Sequence, residues 1–113
     1  MTIVEENKKM INDYQKELKE TEKIISAFEE IKRIYFKKFM PLERAINEFG
    51  SFNGIHDAYG YDFISEKRYQ KLCKLKDEKD SGVISNYIDN IINENIKHKL
   101  FLIDNINKIK NNI

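Results

Sequence analysis

Cys73 is the only cysteine in this chain of 113 residues, so no disulfide can form within it and an oxidising compartment gains no support. Proline is as scarce, with Pro41 alone. Of the four glycines, Gly50, Gly54 and Gly60 cluster but follow neither the Walker nor the dinucleotide spacing, which removes a glycine-rich phosphate loop. Long apolar runs are missing: the longest, Leu100 to Ile103, falls far short of a membrane span. The opening residues MTIVEENKKM lack the apolar centre of a signal peptide, and lipid-attachment motifs are absent. Metal ligands are few, since His56, His98 and Cys73 stand apart without ligand spacing. The expectation is a soluble, cytoplasmic protein with no membrane partner, no metal and no cofactor.

What the chain does contain is charge and helical periodicity. Its length fits a single helical domain, 1–113, with a small core. Charged residues reach 35% and apolar ones 41%, the balance of long helices that expose most of their faces. Lysine, isoleucine and asparagine dominate, a bias that AT-rich coding imposes. The net charge of +1 hides a segregation, because residues 1–31 hold eight acids and five bases whereas residues 32–76 hold ten bases and five acids. A uniformly basic nucleic-acid binder would look different.

From Ile3 to Phe39 one heptad frame runs through Val4, Ile11, Tyr14, Leu18, Ile25, Phe28, Tyr35 and Phe39, interrupted by Asn7, Thr21 and Lys32. A neighbouring row, Ile3, Met10, Ile24 and Ile31, widens the stripe beyond a two-stranded seam and argues for a helix in a bundle. Pro41 ends this helix, since the residue before a proline is pushed out of the helical region. A short helix is expected over 42–49, an ordered aromatic and glycine loop over 50–64, and a middle helix over 65–80 that starts at Ser65 and stops at Ser81-Gly82. In the last helix, 83–112, Leu100 to Ile103 cover every side of one turn, so burial on more than one side is expected. The fold class is all-α: an antiparallel bundle of two long helices, 3–39 and 83–112, with the shorter elements between. The middle helix, about 20 Å long, is too short to cover that pair. A homodimer is the expected remedy for the apolar surface left over, with a partner protein as the alternative.

The stretch 41–65 is the most distinctive chemically, setting Phe49, Phe52, Tyr59, Tyr61 and Phe63 among glycines with His56, Asp57 and Asp62. An imidazole oriented by a carboxylate is the core of acid–base catalysis. Adjacent residues rarely converge on one point, however, and no catalytic spacing is matched here. The expectation is a turn capped by Asp57 and Asp62, with no catalytic residue and no enzyme activity; a ligand site is the alternative. Lys67, Arg68, Lys71, Lys74 and Lys76 run without an acid, and Lys67, Lys71 and Lys74 share one helical face. That face reads as a solvated surface, a phosphate-contacting row or a dock for an acidic protein. A helix-turn-helix fails on spacing, with Ala45 and Gly50 one residue too far apart and a glycine-rich segment where the recognition helix belongs.

Together these features predict a non-enzymatic protein-binding module: a small inhibitor or regulator of a host or defence protein, of the kind bacteria, phages and other mobile elements encode. Its expected contacts are Phe52, His56, Tyr59, Tyr61, Lys67, Arg68, Lys71 and Lys74. The runner-up is a dimeric DNA- or RNA-binding regulator using the basic middle helix. A third reading is a structural subunit assembled through its long helices.

Overall fold

The structure, a computed structural model, describes residues 2–112, whose regular elements are all helices. In chain order these are α1 (Ile3–Lys37), α2 (Met40–Phe49), α3 (Phe52–Gly60), α4 (Glu66–Ser81) and α5 (Val83–Asn111). They divide into two compact units, one built from the chain up to Ile31 and from Tyr87 onward, the other from Lys32–Asn86.

In the first unit α1 and α5 run antiparallel. Their seam buries Ile11, Thr21 and Ile25 of α1 and Ile88, Ile92, Leu102 and Ile106 of α5. The expected heptad frame follows this line, with Ile11 and Ile25 buried, Tyr14, Leu18 and Phe28 half-buried and Val4 exposed, and Thr21 belongs to it instead of interrupting it. Its hydroxyl donates to the Glu17 carbonyl at 2.9 Å, so a polar side chain only 3% exposed leaves no orphaned group. The adjoining row behaves differently: Ile3, Met10, Ile24 and Ile31 are all exposed. Two helices packed on each other share one seam, and no described residue of this unit buries the next row. The same reason corrects the expectation for α5, where Leu102 is buried but Leu100 and Phe101 are exposed. Glu17 pairs with His98 at 2.8 Å on one side of the seam, and Glu22 with Lys99 at 3.6 Å on the other. Such exposed pairs contribute about 0–1 kcal/mol each.

The second unit gathers its buried residues into one cluster. Phe39, Leu42, Ile55 and Leu72 are fully buried there, each contributing about 1.5–3 kcal/mol. Ala45, Ala58, Ile64 and Leu75 complete the cluster. α1 stops at Lys37, two residues before the expected end, in turns that join the amides of Lys38 and Phe39 to the carbonyls of Tyr35 and Phe36. Pro41 therefore lies in the first turn of α2, where its missing amide needs no partner, and not at the end of α1. Gly50 closes α2 in the left-handed conformation, φ 84°.

The main correction concerns 50–64, expected as a loop and largely occupied by α3. Ser51 caps this helix by accepting from the Gly54 amide at 3.0 Å. Phe52, Ile55, Ala58 and Tyr59 then recur at helical spacing and turn toward the core. Gly54 does not mark a loop; a Cβ at that position would collide with the Phe49 carbonyl oxygen, so the glycine lets α3 approach the end of α2. This packing overrides the low helix propensity of glycine, about 1 kcal/mol below alanine. α4 begins and ends as expected, at a Ser65 cap that accepts from the Arg68 amide at 3.1 Å and at Gly82, φ 62°. Among the described residues no helix is long and apolar enough to cross a membrane.

Candidate functional site

The α3–α4 connection is short and fixed at both ends. α3 finishes with the Tyr61 amide on the Asp57 carbonyl at 3.0 Å, the Asp62 amide on Tyr59 at 3.1 Å and the Phe63 amide on Ala58 at 2.8 Å. With Asp62 left-handed at φ 63°, this is the Schellman pattern of a helix end, formed here without glycine. Ile64 is then buried in the core and Ser65 caps α4, so the segment has little freedom. Tyr61 and Phe63, on either side of a likewise exposed Asp62, are held out in water, 77% and 76% exposed. Exposed aromatics on an ordered turn offer contact area at small entropic cost.

Below this turn α3 and α4 meet through an aromatic ladder. Phe52 lies edge-on to His56, with ring centroids 4.8 Å apart, and His56 lies edge-on to Tyr69 at 5.3 Å. Tyr69 stacks flat on Tyr59 at 4.2 Å, and the Lys76 ammonium sits 5.5 Å from the Phe52 ring centre. The Tyr69 hydroxyl also bonds Nδ1 of His56. Partial burial, and then the Cys73 thiol beside it, push the Tyr69 phenol above its ordinary value of 10.0. His56 is thus oriented by a phenol thirteen residues away in the chain and not by the adjacent Asp57.

α4 presents its basic row beside the ladder. Lys67, Lys71 and Lys74 are exposed, and no ion pair engages them among the described residues. Arg68 differs: it reaches Glu48 at 3.3 Å and lies 6.0 Å from the centre of the Phe49 ring. Lys38, Lys71 and Lys74 edge an open groove of about 380 Å³ with Leu75 and Glu78, and Lys38 meets Glu78 at 2.7 Å.

The eight expected contact residues all lie in this unit. Phe52 and Tyr59 are half-buried in the ladder, His56 is tied to Tyr69, and Arg68 is paired with Glu48. Tyr61, Lys67, Lys71 and Lys74 stand clear. Phe63, which was counted among the aromatics of the stretch but not among the contacts, is as exposed as Tyr61. Its position two residues after Tyr61, across a left-handed Asp62, is a signal that becomes legible only once the helix end is known. Among the described residues no three His, Cys, Asp or Glu side chains come together to hold a metal ion. No family model, curated protein or solved structure matches the chain.

Proposed function

We propose that this chain is a non-enzymatic, cytoplasmic protein-binding module whose contact surface is the α3–α4 turn together with the basic row of α4. One observation carries the proposal: Tyr61 and Phe63 are more than three-quarters exposed on a turn that backbone hydrogen bonds hold in one conformation. Aromatic anchors of this kind dominate interface energetics, and the lysines beside them steer an acidic partner. Within that class we favour a small inhibitor or regulator that acts by covering a surface of another protein.

The test is affinity capture from lysate of the source cell after nuclease treatment, with wild type and Tyr61→Ala/Phe63→Ala compared. Both side chains are exposed, so circular dichroism of the variant should match wild type. A stoichiometric protein retained by wild type and lost by the variant supports the reading; equal retention rejects this surface.

Lys67, Lys71 and Lys74, exposed and without carboxylate partners, favour a second reading in which the row contacts phosphates of DNA or RNA. Nuclease-sensitive nucleic acid in the eluate, with binding that falls steeply as salt rises, would select it.

A further inference from the structure

Among the asparagines of the chain, Asn53 alone is followed by glycine. That pairing is the most reactive setting for an asparagine side chain, because glycine has no Cβ to shield the backbone nitrogen that attacks it. The glycine is fixed by packing, since a Cβ at position 54 would collide with the Phe49 carbonyl oxygen. The asparagine is exposed, and no hydrogen bond engages its side chain among the described residues. The contact of α3 with α2 therefore keeps a labile dipeptide at the start of α3.

The chemistry is intramolecular and needs only water. The Gly54 amide nitrogen attacks the side-chain carbonyl carbon of Asn53; as that bond forms, the bond to the side-chain nitrogen breaks and ammonia leaves with the amide proton. Water then opens the five-membered imide at either carbonyl, giving aspartate or isoaspartate at position 53. Two features of α3 oppose the first step. The Gly54 amide donates to Ser51 Oγ at 3.0 Å, and the helical ψ, about −42°, turns the Gly54 nitrogen out of the plane in which it reaches the Asn53 side chain. Both depend on the first turn of a helix of nine residues that holds Gly54 and Gly60 and whose cap bond is exposed. Local opening releases both at once.

We propose that Asn53 is a self-modification site held closed by the Ser51 cap, converting to aspartate and isoaspartate in proportion to how often the first turn of α3 opens. The two products differ in consequence. Aspartate places a negative charge in the first turn, where the helix N-terminus favours it. Isoaspartate carries the chain through its side chain and adds a methylene to the backbone between Phe52 and Gly54, so the spacing that brings Ser51 to the Gly54 amide is lost. Phe52 and His56 stand on either side of that point and belong to the ladder with Tyr69, so isoaspartate loosens α3 from α4.

The experiment is a time course of the folded protein at physiological temperature and mildly alkaline pH. Tandem mass spectrometry follows loss of the amide at Asn53, and hydrogen exchange follows the Gly54 amide. The reference is a synthetic peptide of residues 49–58, too short to hold a helix in water. The folded protein should convert at least tenfold more slowly than the peptide. Ser51→Ala should speed conversion and Gly54 exchange by a common factor of about two- to thirtyfold, the range expected for loss of a cap. Ser51→Thr keeps a capping oxygen and should stay near wild type. Ser51 is exposed, and circular dichroism checks that both variants fold. The isoaspartate form, separated by chromatography, should melt below the Asn53→Asp variant. Conversion of the folded protein as fast as the peptide would overturn the proposal, as would Ser51→Ala converting at the wild-type rate. Equal melting of the isoaspartate and aspartate forms would overturn the consequence for the ladder. None of these readouts involves a partner, so the result stands apart from the surface proposed above.

Discussion

The Tyr69 ring lies on Tyr59 with planes 2° from parallel, and its hydroxyl reaches His56 one helical turn earlier on α3. One side chain of α4 thus grips two of α3, by stacking and by hydrogen bond. Tyr69→Phe keeps the stack and removes the bond, and it should lower unfolding free energy by about 0.5–1.5 kcal/mol. His56→Ala should cost a similar amount, and the double variant should lose less than the two losses added. Chemical denaturation of the four proteins measures that coupling; full additivity would show that the bond contributes nothing.

The same phenol sets a response to alkaline pH. Burial first, then Cys73, raise the Tyr69 value above 10.0 in the folded chain, so the fold favours the neutral ring. The stability this supplies is complete below pH 10 and is lost as pH rises through the higher folded value. Tyr35 shifts the same way, through burial and then the Glu78 carboxylate, with Lys38 opposing. Wild type should therefore lose denaturation midpoint above pH 10 more steeply than Tyr69→Phe does. Parallel curves for the two proteins would remove Tyr69 as the cause.

Period and capping made the long elements legible in the sequence. The seam of α1 follows the heptad frame, and the Ser65 and Gly82 boundaries of α4 follow from residues whose local chemistry permits few alternatives. What the sequence concealed was decided by packing. Gly54 signals a loop by propensity and is helical because α2 comes close to it, a tertiary fact that no local pattern carries. Ile24 and Ile31 signal a core by hydrophobicity and are exposed, because burial of a row depends on whether another element covers it. The candidate surface divides in the same way. Lys67, Lys71 and Lys74 were visible as a row, whereas the separation of Tyr61 from the half-buried Tyr59 required knowing where α3 ends.

Two glycines of α3 should answer oppositely to alanine. At Gly54 the new methyl would meet the Phe49 carbonyl, so α2 and α3 must shift apart, and the loss should be about 1–3 kcal/mol. Gly60 has open space around its missing side chain, so Gly60→Ala should gain about 0.4–1 kcal/mol by restricting the unfolded chain. Thermal denaturation ranks the pair. Equal effects would mean that the two helices do not meet at Gly54.

Thr21 is a polar residue in the apolar seam of α1, and its hydroxyl bond runs only to the carbonyl of Glu17, one turn back in its own helix. That carbonyl is also the natural acceptor of an amide four residues on, so removing the hydroxyl orphans nothing. Thr21→Val fills the same space with a methyl and should hold stability or raise it by up to about 1 kcal/mol. Thr21→Ser keeps the hydroxyl and loses the methyl, so it should cost about 1 kcal/mol. If urea unfolding instead showed valine destabilising and serine neutral, the hydroxyl would have to serve more than its own helix. The partner would then have to come from α5, across the seam, because the Thr21 side chain is buried against it and a polar group there gains most from a bond between helices.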